Sequence, residues 1–470
     1  MAEINEKIEE TVEIIESLEE KLITPDELNE LLDEKKFYEL KRVLAEMPAP
    51  DIAELFYEID EKRHPLLFRL LSKELAAETF VEMDPDHQEG LIQHFTDAEL
   101  AEILDELYID DTVDIIEEMP ANVVKRILKN SDSADREIIN KILKYPKDSA
   151  GTVMTTEYVR FRPDHTVEEA LAHIRRVAID KETIYTSYVT DKERHLLGIV
   201  TAKRLLISPL EMPLSEIMED HVISVTTAED KEAVAMKFDK YGFLSLPVVD
   251  AENRLVGIVT VDDAMEVLRE AVEEDIAKMA GMTPAEAPYL KTSVRSLFLS
   301  RVPWLLLLMI SATFSSTILN FFESALPAVL VLFVPMLMDT GGNSGGQASV
   351  TLIRGLSLGE VTSRDIFRIL YKELRVGFLC GLVVGCVAFG KVMLVDSLIM
   401  GNPAVTVFVA LAVALTMLVT VLMAKIIGCL LPLAANRMGL DPAVMASPFV
   451  TTIVDAFALL LYFLIASSIL

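Results

Sequence analysis

The sequence predicts a multidomain chain: an all-α superhelical N-terminal domain, an α/β module built from a tandem repeat, and an α-helical transmembrane domain of five spans. Three observations carry this. Residues 1–290 hold 32 Lys and Arg against 66 Asp and Glu, whereas residues 291–470 hold 11 against 8. Residues 149–270 contain two copies of a pattern about 60 residues long. From Val302 onward five apolar segments each reach the ~20 residues that cross a bilayer. The expected boundaries are 1–145 for the helical domain, 146–262 for the repeat module (copies at about 149–208 and 213–262), 263–290 for a connecting helix and linker, and 291–470 for the membrane domain.

The first half, at −34, repels phosphate backbones, which excludes nucleic acid as a partner. So dense a carboxylate surface requires screening and suits dissolved metal ions. Cys380, Cys386 and Cys429 all lie in apolar segments and form no CxxC pair. This fits a reducing cytoplasm and excludes a disulfide framework or zinc ribbon. The opening run "MAEINEKIEETVEIIESLEE" is acidic and amphipathic, unlike a cleaved signal peptide.

Within 1–145, "EMP", "EMDP" and "EMP" recur with Met47, Met83 and Met119 spaced by 36 residues, the length of a stacked helical hairpin. Asp110, Asp111 and Asp114 form an acidic cluster there, readable as a solvated face or as a cation site. In the repeat, "AGTVMTTEYVRFRPDHTVEEALAHI" with "LLGIVTAKRLL" is echoed by "LSEIMEDHVISVTTAEDKEAVAMKF" with "LVGIVTVDDAMEVL". Each copy has strand-like runs, a helix, and a closing strand that turns into a second helix. The pair is similar to a tandem cystathionine-β-synthase (CBS) module, a family of adenosine-nucleotide sensors. The resemblance implies a Gly-h-h-Thr-x-x-Asp nucleotide motif, matched in the second copy by Gly257, Thr260 and Asp263; the first copy has Arg204 in place of the Asp. Asp263 also reads as a plain helix cap. From Asp263 to Ala280, Val267, Leu268, Ala271, Val272 and Ile276 fall at helical spacing, with Glu266, Glu270, Glu273, Glu274 and Asp275 mostly elsewhere. Gly281 is placed to stop this helix.

The membrane segments are expected at 302–322, 326–353, 376–395, 404–433 and 442–470. The second is interrupted by "PMLMDTGGNSGGQ", residues 335–347. Its Gly341, Gly342 and Gly345 read as a helix break lining a cavity, with Asn343 and Gln347 meeting the water shell of a Mg²⁺ that dehydrates reluctantly; the competing reading is close helix packing through small residues. Arg354, Arg364, Arg368, Lys372 and Arg375 after segment two, and Lys291, Arg295 and Arg301 before segment one, place those links in the cytoplasm. The links near Glu323 and Asn402, and the C-terminus, then lie outside. Asp455 in the fifth segment is an ionisable group deep in apolar sequence, the mark of an ion path, unless Lys425 or Lys391 pairs it. Asp441, fourteen residues earlier, falls about 21 Å away and about 40° round on one continuous helix, or is an ordinary cap before Pro442. Pro448 would free the Val444 carbonyl as a cation ligand. Thr451 and Thr452 add hydroxyls, although such residues more often bond their own backbone.

The order of parts, the glycine-rich motif with the "RGLSLGE" that follows it, and "DPAVMASPFVTTIVDAFALL" together resemble the MgtE family of Mg²⁺ channels over essentially the whole chain. The resemblance implies a homodimeric, non-enzymatic channel of the cell membrane, with Asp455 of each chain at a central Mg²⁺ site and Asp441 near its cytoplasmic end. It implies that the connecting helix is a plug, and that Mg²⁺ bound among Asp110, Asp114, Asp263, Glu266, Glu274 and Asp275 favours closure, with ATP as modulator. Ala271 stands where the family has another carboxylate. The rival readings are a proton- or sodium-coupled cation carrier and a nucleotide-sensing receptor that transports nothing.

Overall fold

The computed structural model describes residues 23–178, 181–284, 289, 292–323, 327–445 and 447–470. The amphipathic N-terminal run, Lys291 and the loop after Glu323 lie outside the described residues. The chain divides into two compact units between Leu268 and Arg269.

Among the described residues, the first unit begins with ten α-helices: α1 (Pro25–Asp33), α2 (Phe37–Leu44), α3 (Ala49–Glu58), α4 (His64–Phe68), α5 (Lys73–Val81), α6 (Pro85–His94), α7 (Asp97–Leu104), α8 (Ile109–Glu118), α9 (Ala121–Asn130) and α10 (Ser133–Ile142). Local chemistry sets their starts. Thr24 and Thr96 form capping boxes with Glu27 and Glu99, and Ser72, Asp84 and Asp132 cap α5, α6 and α10, which satisfies otherwise orphaned amides. Helix α3 packs on α5, α5 on α7, α7 on α9 and α8 on α10, the stacking of a superhelix. The repeated Met47, Met83 and Met119 are buried at the junctions that precede α3, α6 and α9, so the 36-residue period is a packing period.

The CBS module follows with β1 (Tyr158–Phe161), α11 (Val167–Val177), β2 (Thr183–Thr190), β3 (Leu196–Thr201), α12 (Ala202–Ile207), α13 (Leu214–Ile217), β4 (Val225–Thr226), α14 (Lys231–Tyr241), β5 (Ser245–Val249) and β6 (Leu255–Thr260). Both sheets have the same topology, a parallel pair followed by an antiparallel pair, in the orders β1-β2-β3 and β4-β5-β6. The repeat explains its glycines. A Cβ on Gly257 would lie 2.8 Å from the Thr155 carbonyl, and one on Gly198 2.9 Å from that of Glu219. Each glycine admits the segment that bridges its strand, Thr155 to Ile258 and Glu219 to Ile199. One apolar core runs from Leu28 through Val113, Met154 and Leu246 to Val267.

Helix α15 (Val261–Met279) is continuous across the division. Its last turns belong to the second unit with α16 (Val294–Glu323), α17 (Val334–Ser357), α18 (Ile366–Lys391), α19 (Val407–Arg437) and α20 (Ser447–Ile469). Among the described residues, α16, α18, α19 and α20 are long and apolar enough to cross a membrane by composition. Helix α17 has 24 residues, about 36 Å at helical rise, and falls short only in apolarity. The link to α18 is short: Arg368, Lys372 and Arg375 lie in the first turns of α18.

Three expectations are corrected here. The glycines of 335–347 do not break the helix: α17 runs through them, and the irregular piece is a 3₁₀ turn at Ala328–Phe333, before Pro335. Asp441 and Asp455 do not share a helix, because a 3₁₀ turn at Pro442–Met445 separates Asp441 from α20. Pro448 is the second residue of α20, where a missing N–H costs nothing, so it vacates no helical carbonyl at Val444.

Candidate functional site: a polar stripe and an acidic cluster

The glycines of α17 are contact points. A Cβ on Gly341 would lie 2.8 Å from Thr420 Cγ2 and 3.0 Å from Val454 Cγ1, one on Gly342 2.7 Å from Thr451 Cγ2, and one on Gly345 2.7 Å from Val450 Cγ1. A Cβ on Gly428 of α19 would lie 2.3 Å from the Gly345 carbonyl oxygen. Small residues thus bring α17 against the backbone of α19 and the side chains of α20. Thr451 is spent on this packing, and the Thr452 hydroxyl donates to the Pro448 carbonyl at 3.0 Å.

With the glycines buried, the polar residues of α17 share the other face. Asp339, Asn343 and Gln347 are exposed at intervals of one helical turn, and Thr351 and Arg354 continue the row. The sequence had pointed to Asn343 and Gln347. It had not singled out Asp339, although the spacing of four was there to find. Asn343 Nδ2 donates to Asp339 Oδ1 at 3.2 Å, and Lys425 Nζ to Gln347 Oε1 at 3.5 Å.

Asp455 lies on α20 one residue beyond the Val454 contact with Gly341. Its Oδ1 is sealed from solvent and has no hydrogen-bond partner among the described residues. Neither lysine proposed to pair with it does so: Lys425 is directed to Gln347, and Lys391 holds Asp396 at 2.8 Å. Another carboxylate, Asp339 of α17, lies within electrostatic reach of the buried Asp455.

Asp441 serves elsewhere. Its Oδ1 accepts from the Ala443 amide at 2.8 Å, and its Oδ2 receives Lys278 Nζ at 2.5 Å. Lys278 also pairs with Glu274, and Ser357 Oγ donates to Asp275 Oδ2 at 2.9 Å. Met279 packs with Ile353 and Ala443, and a Cβ on Gly281 would lie 3.1 Å from Pro448 Cγ. The end of α15 is therefore fastened to the ends of α17 and α20. Burial raises the Asp275 carboxyl above its ordinary range, partly offset by the Ser357 bond.

In the first unit, α8 and the start of α15 bring carboxylates together. Asp110 is 5% exposed and its Oδ1 has no hydrogen-bond partner among the described residues. Burial and then the Asp263 charge push Asp110, Asp111 and Asp114 upward, Asp111 to about 7. Asp263 rises to about 6 through burial, opposed by the Thr260 hydroxyl that donates to it at 2.6 Å. Glu182 rises to about 8 through burial and the charges of Asp262, Asp263 and Asp111, and Glu157 rises through burial. The expected Asp110, Asp114, Asp263 and Glu266 are thus gathered, and Asp262, Glu157 and Glu182 join them. Glu274 and Asp275 are instead placed with Asp441. The likeness between the two kinds of site is chemical: hard oxygen ligands without enough local cations, the setting for a divalent ion.

Comparison with known proteins matches these parts one by one. Residues 334–465 match the family model of the MgtE divalent cation transporter, 47–148 that of the MgtE intracellular N domain, and 150–210 and 214–270 that of the CBS domain. The magnesium transporter MgtE of Thermus thermophilus is 36% identical over 96% of this chain and 98% of its own length. That of Bacillus subtilis is 29% identical over 93% and 95%. The crystal structure of the cytosolic domain of the Mg²⁺ channel MgtE in complex with ATP is 37% identical, with a TM-score of 0.50, over 52% of this chain and 100% of that one. With its N domain, its CBS pair and its membrane helices each accounted for over nearly its full length, the chain belongs to the MgtE family of divalent cation transporters.

Proposed function

We propose that this chain carries Mg²⁺ across the cell membrane as a homodimer, along a path that includes Asp455 and the polar stripe of α17. Its first 290 residues then lie in the cytoplasm and its C-terminus outside, the orientation favoured by Arg354, Arg364 and Arg368. The observation that carries the reading is Asp455: a carboxylate within a membrane helix whose sealed Oδ1 has no hydrogen-bond partner among the described residues, with Lys425 and Lys391 directed elsewhere. A structural ion pair would need such a cation, whereas a transported cation supplies the charge only in passing.

The acidic cluster of the first unit is the proposed sensor. Ion-free, its carboxylates repel: one pair at 4 Å costs roughly 4 kcal/mol at an effective dielectric of 20. Bridging Mg²⁺ removes that repulsion and favours the arrangement that brings α8 and α15 together. Turning a mostly open population into a mostly closed one needs about 5.5 kcal/mol of differential binding, within reach of a few weak sites. Helix α15, fastened through Lys278, Asp275 and Met279, is the element that transmits the change.

ATP is the proposed modulator, at the second-copy motif Gly257, Thr260 and Asp263, by likeness to the 37% identical cytosolic domain solved in complex with ATP. Asp263 accepts from the Thr260 hydroxyl at 2.6 Å and lies among Asp110, Asp111, Asp262 and Glu182, so the nucleotide motif and the acidic cluster share a residue.

The deciding experiment is Mg²⁺ flux into liposomes holding the purified full chain, wild type and Asp455→Ala, at low and high Mg²⁺ on the cytoplasmic face. Flux that falls at least about 100-fold in the variant and is suppressed by cytoplasmic Mg²⁺ supports path and feedback together. Flux that follows a proton or sodium gradient instead would establish the coupled carrier. A silent wild type would defeat the transport reading.

A further inference from the structure

Asp339 takes no part in the packing that explains the glycines around it. It stands at the head of the exposed stripe of α17, one turn before Asn343. Helices α17 and α20 run antiparallel at this contact: Gly345 faces Val450, Gly342 faces Thr451 and Gly341 faces Val454. Continuing that register by one step brings Asp339 to the level of Asp455, within electrostatic reach of it. Lys425 and Lys391, the two lysines nearest in sequence to these helices' apolar partners, are committed to Gln347 and Asp396.

We propose that Asp339 is a second cation-binding carboxylate of the transport path, acting with Asp455 on the same divalent ion. The proposal rests on the reading of Asp455 as the transport carboxylate. Two carboxylates on helices of the membrane domain, with Lys425 and Lys391 both directed elsewhere, are costly when both are charged. A divalent ion cancels both charges at once, whereas a monovalent ion leaves one over. Mg²⁺ keeps most of its water and takes one or two carboxylates, so a pair on adjacent helices matches its needs. Asn343 then has a positioning role: its amide, donating to Asp339 Oδ1 at 3.2 Å, leaves the other carboxylate oxygen to face the ion.

The test removes the charge while keeping the hydrogen bond. Asp339→Asn retains an oxygen acceptor for Asn343, and Asp339→Glu retains the charge. In liposomes with the full chain, Asp339→Asn raises the Mg²⁺ concentration for half-maximal flux by roughly tenfold, and Asp339→Glu restores most of the wild-type value. A saturation curve for Asp339→Asn that superimposes on the wild type, while Asp455→Ala is inactive, overturns the role of Asp339 and leaves the transport reading intact. If flux in Asp339→Asn is too low to measure, calorimetric Mg²⁺ titration of the detergent-solubilised full chain decides. Weaker binding in Asp339→Asn but not in Asp339→Glu supports the assignment, and identical titrations for all three proteins overturn it. Thermal melting checks that each variant is folded.

Discussion

The two acidic regions of this molecule solve opposite problems. The cluster of the first unit gathers its carboxylates from α8, α15 and the approaches to β1 and β2, and the fold lets several of them hold protons near neutral pH. The second unit has two carboxylates on packed helices, Asp339 of the α17 stripe and Asp455 of α20, next to glycines that bring three helices together. In water, many charges are needed before an ion is held, because each is screened. In an apolar setting one or two suffice, because nothing else answers them. In the function proposed, number serves the sensor and depth serves the path.

The largest effect that would break this contrast lies in the packing under the stripe. Gly428→Ala places a methyl where the Gly345 carbonyl oxygen already stands. Backbone cannot step aside as a flexible side chain can, so the variant should lose roughly 1–3 kcal/mol and melt earlier in detergent, with flux lost alongside. Unchanged melting would mean that the helices do not meet there.

Next comes the cluster. Asp110→Asn with Asp114→Asn should stabilise the ion-free first unit and shrink its Mg²⁺-induced rise in Tm by more than half. In the wild type the effect depends on pH with a definite sign. These carboxyls hold protons in the folded chain that they release on unfolding, so ion-free stability falls as pH rises from the ordinary carboxylate range, 3.8 to 4.5, through about 8. Bound Mg²⁺ removes the penalty, and the Tm gain with Mg²⁺ should grow between pH 6 and pH 8. A gain that does not vary with pH would detach these residues from the ion.

The smallest effect is at Lys278. Lys278→Ala breaks the ion pairs with Asp441 and Glu274, which are half-exposed, so stability should change by no more than about 1 kcal/mol. The suppression of flux by cytoplasmic Mg²⁺ should nonetheless weaken, measured as a rise in the half-inhibiting concentration.

Much of the architecture was legible because it is periodic. The 36-residue methionine spacing, the doubled GIVT pattern and the apolar lengths each encode packing that repeats. What was not legible depended on partners. A glycine serves either to bend the chain or to let another chain approach, and the sequence of 335–347 does not name Thr420, Thr451 or Val450 as the neighbours that decide it. Asp441 followed by proline opens an α-helix or a 3₁₀ turn equally well. Glu157 and Glu182 sit in unremarkable loops, and only the fold carries them to Asp110 and Asp263. Asp339 was the exception: its spacing from Asn343 and Gln347 was visible, but attention to the glycines hid the face they leave open.

Helix α15 carries Asp262, Asp263 and Glu266 near its start and Glu274, Asp275 and Lys278 near its end. Between them the chain has no joint. One inserted residue between Glu266 and Glu274 would turn Glu274, Asp275 and Lys278 by about 100° relative to Asp262, Asp263 and Glu266 and shift them about 1.5 Å along the axis, so the two charged ends of the helix would lose their present alignment with one another. The length of this segment is therefore under tighter constraint than the identity of its exposed residues: in its descendants it can change its lettering freely but not its count.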